Sequence, residues 1–247
     1  MTAAQITWLG QAGFIIETDR SRLLVDPWIT SIEGRLIDAP PFELVSDRID
    51  AVLVTHEHND HFDLPFLRRL AEAGSEALLV LPQPIEDQAR DLLKVTPVRP
   101  GDRLQLPGVD LEVVPSWHGV SMDDAYTDGD GRFVGYLIRI GDTTIYHPGD
   151  TILSEEMLVL LEQRPVDIAL LPINGRDFFR EAEGIVGNLD VREAVRLARR
   201  VGAHTLVPYH WDAFAGNTQR PGRVVDEAMG LGGPHVLCLA RLVPFKL

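Results

Sequence analysis

The feature that most constrains the fold of this chain is a largely apolar run that ends in a dense group of polar side chains. Residues 51–55 read Ala-Val-Leu-Val-Thr, and His56-Glu57-His58-Asn59-Asp60-His61 follows at once. A short apolar run of this kind predicts a strand that is covered on both faces. Asp63 and Pro65 then mark the start of a helix, because Asp caps helices and Pro is tolerated in their first turn. The polar group therefore lies on a strand-to-helix loop, where functional residues are common.

The three imidazoles and the carboxylate of this loop are of the types that bind zinc, manganese and iron. In extended backbone, His56 and His58 point to the same side of the chain, and Asp60 and His61 can then serve a second ion. The alternative is a polar loop that is rich in histidine by chance. Since the chain has only 8 His in 247 residues, we favour a metal site.

Further candidate ligands follow other predicted strands. They are His118, His147, Asp150 and His210. Side chains at strand ends can reach a shared rim, although each of these residues taken singly is more often a surface or core residue. The role of His147 stays open, and His204 and His235 are expected to be structural because no motif surrounds them.

The rest of the chain shows two halves, each with strands first and helices after them. Helices are predicted over residues 63–74, 85–94, 154–164, 190–201 and 224–229, and a hairpin is predicted over residues 133–146. Asp190 and Glu193 form a capping-box pattern at one helix start. No linker rich in Pro, Gly or Ser separates the halves. We therefore predict one domain over residues 1–247, of class α/β (α+β), with two packed sheets and helices outside.

Charge limits the partners. The chain has 23 Lys and Arg against 37 Asp and Glu, a net charge of −14, so we expect neither nucleic acid nor an anionic membrane as a partner. No apolar run reaches the roughly 18 residues of a membrane span, and no signal peptide is visible, so a cytoplasmic location is expected. Cys238, the one cysteine, lies in an apolar run and is expected in the core.

Taken together, the motifs resemble the metallo-β-lactamase fold superfamily. They are, in order, His56-x-His58-x-Asp60-His61, then His118, Asp150 within Gly149-Asp150-Thr151, and His210. The opening Trp8-Leu9-Gly10-Gln11-Ala12-Gly13-Phe14, with Leu24-Val25-Asp26-Pro27 and Pro172-Ile173-Asn174-Gly175-Arg176-Asp177, is most similar to the ascorbate-6-phosphate lactonase-like branch. The resemblance covers essentially the whole chain. It implies a four-layer αββα sandwich with a dinuclear metal site at one edge.

The resemblance also implies a role for each motif residue. One divalent ion would be held by His56, His58 and His118, and the other by Asp60, His61 and His210. Asp150 would bridge the two ions. Asp26 would orient a ligand imidazole from behind, with a turn cap before Pro27 as the alternative. Zinc is the expected metal, and manganese is the alternative.

The implied chemistry is metal-dependent hydrolysis. Two divalent cations lower the pKa of a shared water, so that hydroxide is available near neutral pH, and they stabilise the anion that forms on the substrate. We predict a hydrolase of a small anionic lactone or ester, with Asp60 and Asp150 as catalytic carboxylates. The alternatives are a phosphodiesterase, of nuclease or phospholipase D type, and a metal-binding sensor without turnover. The acidic charge counts against a nuclease.

Substrate recognition is assigned to the loop after the strand predicted over residues 166–171. Arg176 is a candidate to bind the anionic group, because Arg binds phosphate and carboxylate bidentately. Asn174 either stabilises the developing oxyanion or holds the loop turn. The acids of residues 177–183 are alternative partners for both Arg176 and Arg180. The expected partner is thus a small anionic molecule, and the sequence is compatible with a homo-oligomer.

Overall fold

Two seven-stranded sheets pack face to face in the computed structural model, which describes residues 4–126 and 131–247. The strands of the first sheet are β1 (Gln5–Gly10), β2 (Gly13–Glu17), β3 (Arg22–Val25), β4 (Ala51–Leu53), β5 (Leu78–Pro82), β6 (Lys94–Val98) and the C-terminal β14 (Phe245–Lys246). Those of the second sheet are β7 (Arg103–Leu106), β8 (Val109–Pro115), β9 (Val134–Ile140), β10 (Thr143–His147), β11 (Ile168–Pro172), β12 (Thr205–Tyr209) and β13 (His235–Val236).

Helices lie outside both sheets. They are α1 (Phe42–Ser46), α2 (Leu64–Glu72), α3 (Glu155–Glu162), α4 (Phe178–Ala182), α5 (Val191–Arg200) and α6 (Gly222–Leu231), with a 3₁₀ helix over Gln83–Gln88. None of the helices in the part of the chain that the structure describes is long and apolar enough to cross a membrane.

Each sheet has an antiparallel half and a parallel half. The order is β14-β1-β2-β3-β4-β5-β6 in the first sheet and β13-β12-β11-β10-β9-β8-β7 in the second. In the second sheet, β8 and β10 are both antiparallel to β9, and β10, β11 and β12 are mutually parallel. The C-terminal ends of β8, β10 and β12 therefore meet at one edge of that sheet.

Three layers of apolar side chains hold the elements together. Trp8 and Phe14 of the first sheet pack with Tyr136 and Ile138 of the second between the two sheets. The outer helices α1 and α2 cover the first sheet, and α3, α5 and α6 cover the second. This arrangement confirms the predicted four-layer αββα sandwich. A single domain over residues 1–247 stays a prediction, which the pairing of β14 with β1 supports because it joins the two ends of the chain.

The structure confirms the elements that the sequence predicts from adjacent residues, namely two helix starts and one hairpin. Asp63 caps α2 by accepting from the Phe66 amide, and the capping box of Asp190 and Glu193 is present at the start of α5. The predicted hairpin is formed by β9 and β10. The Asp63 carboxylate also accepts from the amides of Ile29 and Thr30, so it fastens the loop after β3 to the start of α2.

Two predictions are wrong. A helix over residues 85–94 is replaced by the 3₁₀ helix, and the strand β6 begins at Lys94, because Val95, Thr96 and Val98 are β-branched and an edge strand tolerates Pro97. Cys238 is exposed and not in the core, since β13 ends at Val236 on the sheet edge and the chain then leaves the sheet.

Candidate metal centre

The loops after β4, β8, β10 and β12 bring the predicted ligands together at one end of the sandwich. The ligands form two clusters, and within each cluster one ligand atom per residue lies within 4.8 Å of the others. We refer to His56, His58, His118 and Asp150 as the first cluster, and to Asp60, His61 and His210 as the second cluster.

Three ring nitrogens converge in the first cluster. Nδ1 of His58 lies 3.0 Å from Nε2 of His56 and 3.4 Å from Nε2 of His118. Burial lowers the pKa of His118 to about 3, and burial together with the neighbouring imidazoles holds the pKa of His56 well below its usual value. His56 and His118 are therefore neutral near pH 7, which is the form of imidazole that binds metals.

Asp150 lies between the two clusters. Its Oδ1 is 3.3 Å from Nε2 of His61, and its Oδ2 is 3.2 Å from Nε2 of His210 and 3.7 Å from Nε2 of His118. Burial would raise the pKa of Asp150, but His210 and His61 hold it well below its usual range. One ionised carboxylate thus contacts ligands of both clusters.

A second buried carboxylate, that of Asp26, lies behind the clusters. Asp26 is completely buried; its Oδ1 accepts from the Thr55 amide at 2.8 Å and its Oδ2 from the Thr55 hydroxyl at 2.6 Å. The same Oδ2 lies 2.7 Å from Nδ1 of His61. Oγ1 of Thr55 is in turn 3.1 Å from Nδ1 of His56. These contacts engage the Nδ1 atoms of His56 and His61 and direct both Nε2 atoms toward the clusters.

The second cluster is charged differently from the first. Burial acts against protonation of His61, but nearby carboxylates, Asp150 most strongly, outweigh it and raise the pKa of His61 well above its usual value. Burial likewise opposes protonation of His210, and Asp150 and Asp60 raise its pKa to about 9. The cluster therefore favours positive charge next to its carboxylates.

Several buried atoms of the centre fit a divalent cation. Nε2 of His61 and Oδ1 of Asp150 are buried and lie 3.3 Å apart, but neither forms a hydrogen bond of acceptable geometry. A protonated Nε2 of His210 would face the amide nitrogen of Gln11, another donor, at 2.9 Å. Since imidazole nitrogens and carboxylate oxygens are the usual ligands of zinc and manganese, the residues present fit the expected ions.

Gln11 and Thr55 are contacts that sequence reasoning missed. Gln11 lies at the turn between β1 and β2, and its Nε2 donates to Oδ2 of Asp60 at 2.7 Å. It belongs to the opening motif on which the family resemblance rests, but nothing local marks its side chain as a neighbour of Asp60. Thr55 directly precedes His56 and ends the predicted strand, and nothing in the sequence indicates that its hydroxyl contacts Asp26 and His56.

The predicted substrate residues have other partners. Both terminal nitrogens of Arg176 lie 2.7 Å from the carboxylate of Glu193, so a substrate anion would have to displace that ion pair. The side chain of Asn174 is tied to Asn217 and Asn188, which favours its role in holding the loop turn. Arg180 pairs with Asp177. These contacts do not support the substrate-binding interpretation of Arg176 and Asn174.

The remaining histidines have structural surroundings. Nε2 of His147 contacts the carbonyl of Ala12 at 3.1 Å, and its Nδ1 accepts from the Gly149 amide at 3.1 Å. The ring stacks on Tyr209, whose hydroxyl donates to the carbonyl of Gly149. His147 and Tyr209 therefore fix both sides of the residue that precedes Asp150. His204 and His235 are exposed, as expected of residues outside the centre.

Comparisons with known proteins agree on the family. The β-lactamase superfamily domain matches residues 21–211. A UPF0173 metal-dependent hydrolase of Carboxydothermus hydrogenoformans is 29% identical over 228 residues, which cover 92% of this chain and 93% of that protein. A UPF0173 metal-dependent hydrolase of Pyrococcus horikoshii is 30% identical over 212 residues, 85% of each chain.

A solved structure has the same fold. Igni18, described as a metallo hydrolase of Ignicoccus hospitalis, superposes with a TM-score of 0.79 at 23% identity, over 100% of this chain and 99% of that one. At this identity the likeness supports the fold alone.

We predict that Gly149→Ala is far more harmful than Gly141→Ala. Both glycines have positive φ, 67° and 58°, so both variants pay the left-handed cost of about 1–2 kcal/mol. A Cβ at Gly149 would also lie 2.4 Å from Oγ1 of Thr55, whereas nothing lies within 4 Å at Gly141. Urea unfolding should show an additional loss of about 1–3 kcal/mol for Gly149→Ala. Equal losses would contradict the close packing of the Asp150 loop on Thr55.

Proposed function

This chain belongs to the UPF0173 metal-dependent hydrolases of the metallo-β-lactamase superfamily, and we propose that it opens a small anionic lactone or ester with a hydroxide activated by two divalent ions. The observation that carries the proposal is the position of Asp150. Its two oxygens lie 3.3 Å and 3.2 Å from ligand nitrogens of the second cluster, and one of them lies 3.7 Å from a nitrogen of the first. A carboxylate shared in this way suits two adjacent ions better than one.

In this proposal, each cluster holds one ion and Asp150 serves both. The first ion is held by His56, His58 and His118, and the second by Asp60, His61 and His210. When bound, two such cations lower the pKa of a water and polarise the oxygen of the scissile bond. Zinc is the proposed metal, with manganese as the alternative, because both accept mixed imidazole and carboxylate ligands.

The chain itself supplies orientation and proton handling. Asp26 holds Nδ1 of His61 and, through Thr55, that of His56, so the ligand rings cannot turn freely. Asp60 has the more accessible carboxylate of the centre, with a side chain 19% exposed against 5% for Asp150. Asp60 is therefore the group that can orient the nucleophile or take a proton, in addition to its role as a ligand.

The anionic group of the substrate requires a cation whose charge is not already neutralised. Arg35 meets this condition better than Arg176. Its guanidinium stacks on Trp28 at 3.9 Å and donates to the carbonyls of Thr30 and Trp28. Among residues 4–126 and 131–247 no carboxylate forms a salt bridge with it, and the carboxylates of Asp212, Asp63 and Asp38 act on its charge without such a direct contact. Carbonyls orient a guanidinium without cancelling its charge.

The location of Arg35 also suits this role. Its loop is fastened at one end to Asp63, two residues after His61, and Arg35 itself is bridged to Phe214, four residues after His210. The loop thus spans the region between two ligand loops of the second cluster. We propose Arg35 as the residue that selects an anionic substrate, in line with the resemblance to ascorbate-6-phosphate lactonase-like proteins.

The test is a substrate panel on the full chain loaded with zinc or manganese. We expect hydrolysis of lactones or carboxylic esters that carry a charged group. Turnover of phosphodiesters alone would favour a phosphodiesterase instead. Full metal loading with no turnover of any class would favour a metal-binding sensor.

On the same panel, Arg35→Gln should raise the KM for an anionic substrate about tenfold, the loss of one charge-assisted contact of roughly 1.4 kcal/mol. The KM for the neutral analogue should stay within twofold. Arg176→Ala is the matched comparison, and it should change both substrates alike, because its guanidinium is paired with Glu193. Equal effects of Arg35→Gln on both substrates would remove Arg35 from recognition.

A further prediction concerns metal content. Elemental analysis after loading and desalting should approach two ions per chain, and His56→Ala and His210→Ala should each reduce the content by one. His204→Ala is the control, because the His204 side chain is 81% exposed and its ion-pair partner, Asp167, belongs to neither cluster. A maximum of one bound ion in the native protein would contradict the dinuclear proposal.

Another prediction concerns the role of Asp150 in turnover. Asp150→Asn keeps the shape but loses a charge shared by both clusters, so kcat should fall at least about a hundredfold, the order found when one electrostatic contact at a reaction centre is removed. Asp167→Asn is the control, since Asp167 accepts from Thr144 at the opposite end of β10. Far-UV circular dichroism should show a folded protein in both. Near-native kcat in Asp150→Asn would refute the shared role.

A further inference from the structure

Gln11 is a buried amide whose backbone is fixed from three sides. It has a φ of 50° at the turn between β1 and β2, and only 1% of its surface is exposed. Its backbone N–H donates to Oδ1 of Asp212 at 3.0 Å. Its carbonyl accepts from the Trp8 indole and from the His210 amide, both at 3.1 Å. A residue anchored so firmly in a positive-φ conformation presents its side chain in one direction.

That side chain lies against two ligands of the second cluster. Nε2 of Gln11 is 2.7 Å from Oδ2 of Asp60 and 2.9 Å from Nε2 of His210. Asp60 and His210 come from different loops, after β4 and after β12. They lie 3.4 Å apart, and the Gln11 amide contacts both.

The chemistry of an amide suits this position. The Asp60 carboxylate only accepts hydrogen bonds, so the neighbour has to be a donor. A Lys or Arg would donate but would also bring a positive charge against an incoming cation. A neutral amide restrains Asp60 and leaves its charge available.

We propose that Gln11 is a positioning residue for the second ion: its amide holds Asp60 next to His210, and so sets the affinity of the second cluster without acting on the first. The proposal rests on the assignment of Asp60, His61 and His210 as ligands under the proposed function. It goes beyond that assignment, because it gives the two clusters separately tunable affinities.

The experiment is stepwise zinc binding to the metal-free full chain, measured by competition with a chromophoric chelator. Gln11→Met retains the length of the side chain and removes the donor. We expect the affinity for the second zinc equivalent to fall about 10- to 100-fold, as for other residues that orient metal ligands, and the affinity for the first to stay within twofold. With two equivalents of cobalt per chain, the visible spectrum of Gln11→Met should lack the contribution that the second equivalent makes in the native protein.

Gln88→Ala is the matched control, because the Gln88 amide also donates to a carboxylate, that of the half-buried Glu57 next to His56 and His58. It should leave both affinities unchanged. Gln11→Asn is the second variant; its amide is shorter by one methylene, and it should weaken the second equivalent as well. Unfolding midpoints of the metal-free variants identify any that fail to fold.

The outcomes separate two failures. If the native chain binds two ions and both Gln11 variants bind them as tightly, or lose both equally while folded, Gln11 has no selective role and this inference is wrong. If the native chain binds only one ion, the proposed dinuclear function fails first. A loss confined to the second equivalent supports both.

Discussion

The rest of the centre depends on one buried carboxylate, that of Asp26. It accepts from the backbone and hydroxyl of Thr55 and lies 2.7 Å from Nδ1 of His61. Thr55 in turn contacts Nδ1 of His56. A carboxylate that is completely buried needs hydrogen-bond donors. The donors of Asp26 are Thr55 and His61, and these same contacts orient one imidazole of each cluster. The same interaction therefore stabilises the protein and fixes the direction of two candidate ligands.

The topology explains why the two clusters are adjacent. Two sheets with the same antiparallel-then-parallel plan face each other, and the ligand loops leave β4 in one sheet and β8, β10 and β12 in the other. Asp150 then lies at the middle of the assembled site. Its position requires Gly149, because the loop passes so close to Thr55 that a Cβ would not fit.

Charge within the centre opposes the charge of the whole chain. The net charge is −14, whereas the imidazoles of His61 and His210 have raised pKa values beside Asp150 and Asp60. The carboxylates of Asp150 and Asp60 thus favour positive charge at this position, whether on the two rings or on a bound cation. Gln11 adds a neutral donor beside these groups, and Arg35 adds a cation that forms no salt bridge with the described residues.

The sequence alone determined what depends on neighbours along the chain. The apolar strand before His56, the caps at Asp63 and Asp190, and the β9–β10 hairpin follow from adjacent residues, because capping and turn formation are local interactions. The order of the ligand motifs led to the superfamily and hence to the αββα sandwich. The ligand roles within it remain predictions, supported by the way the strand ends converge.

Tertiary structure decided what depends on distant partners. Gln11 reaches His210 across 199 positions, and no local pattern encodes that contact. In the sequence Arg176 is a candidate to bind an anion, but the folded chain places the Glu193 carboxylate against its guanidinium. Residues 85–94 have helical spacing, yet pairing with β5 draws their end into a strand. Each of these contacts depends on how the two sheets and their loops pack. In each case the long-range contact stabilises the observed structure more than the local sequence preference favours another.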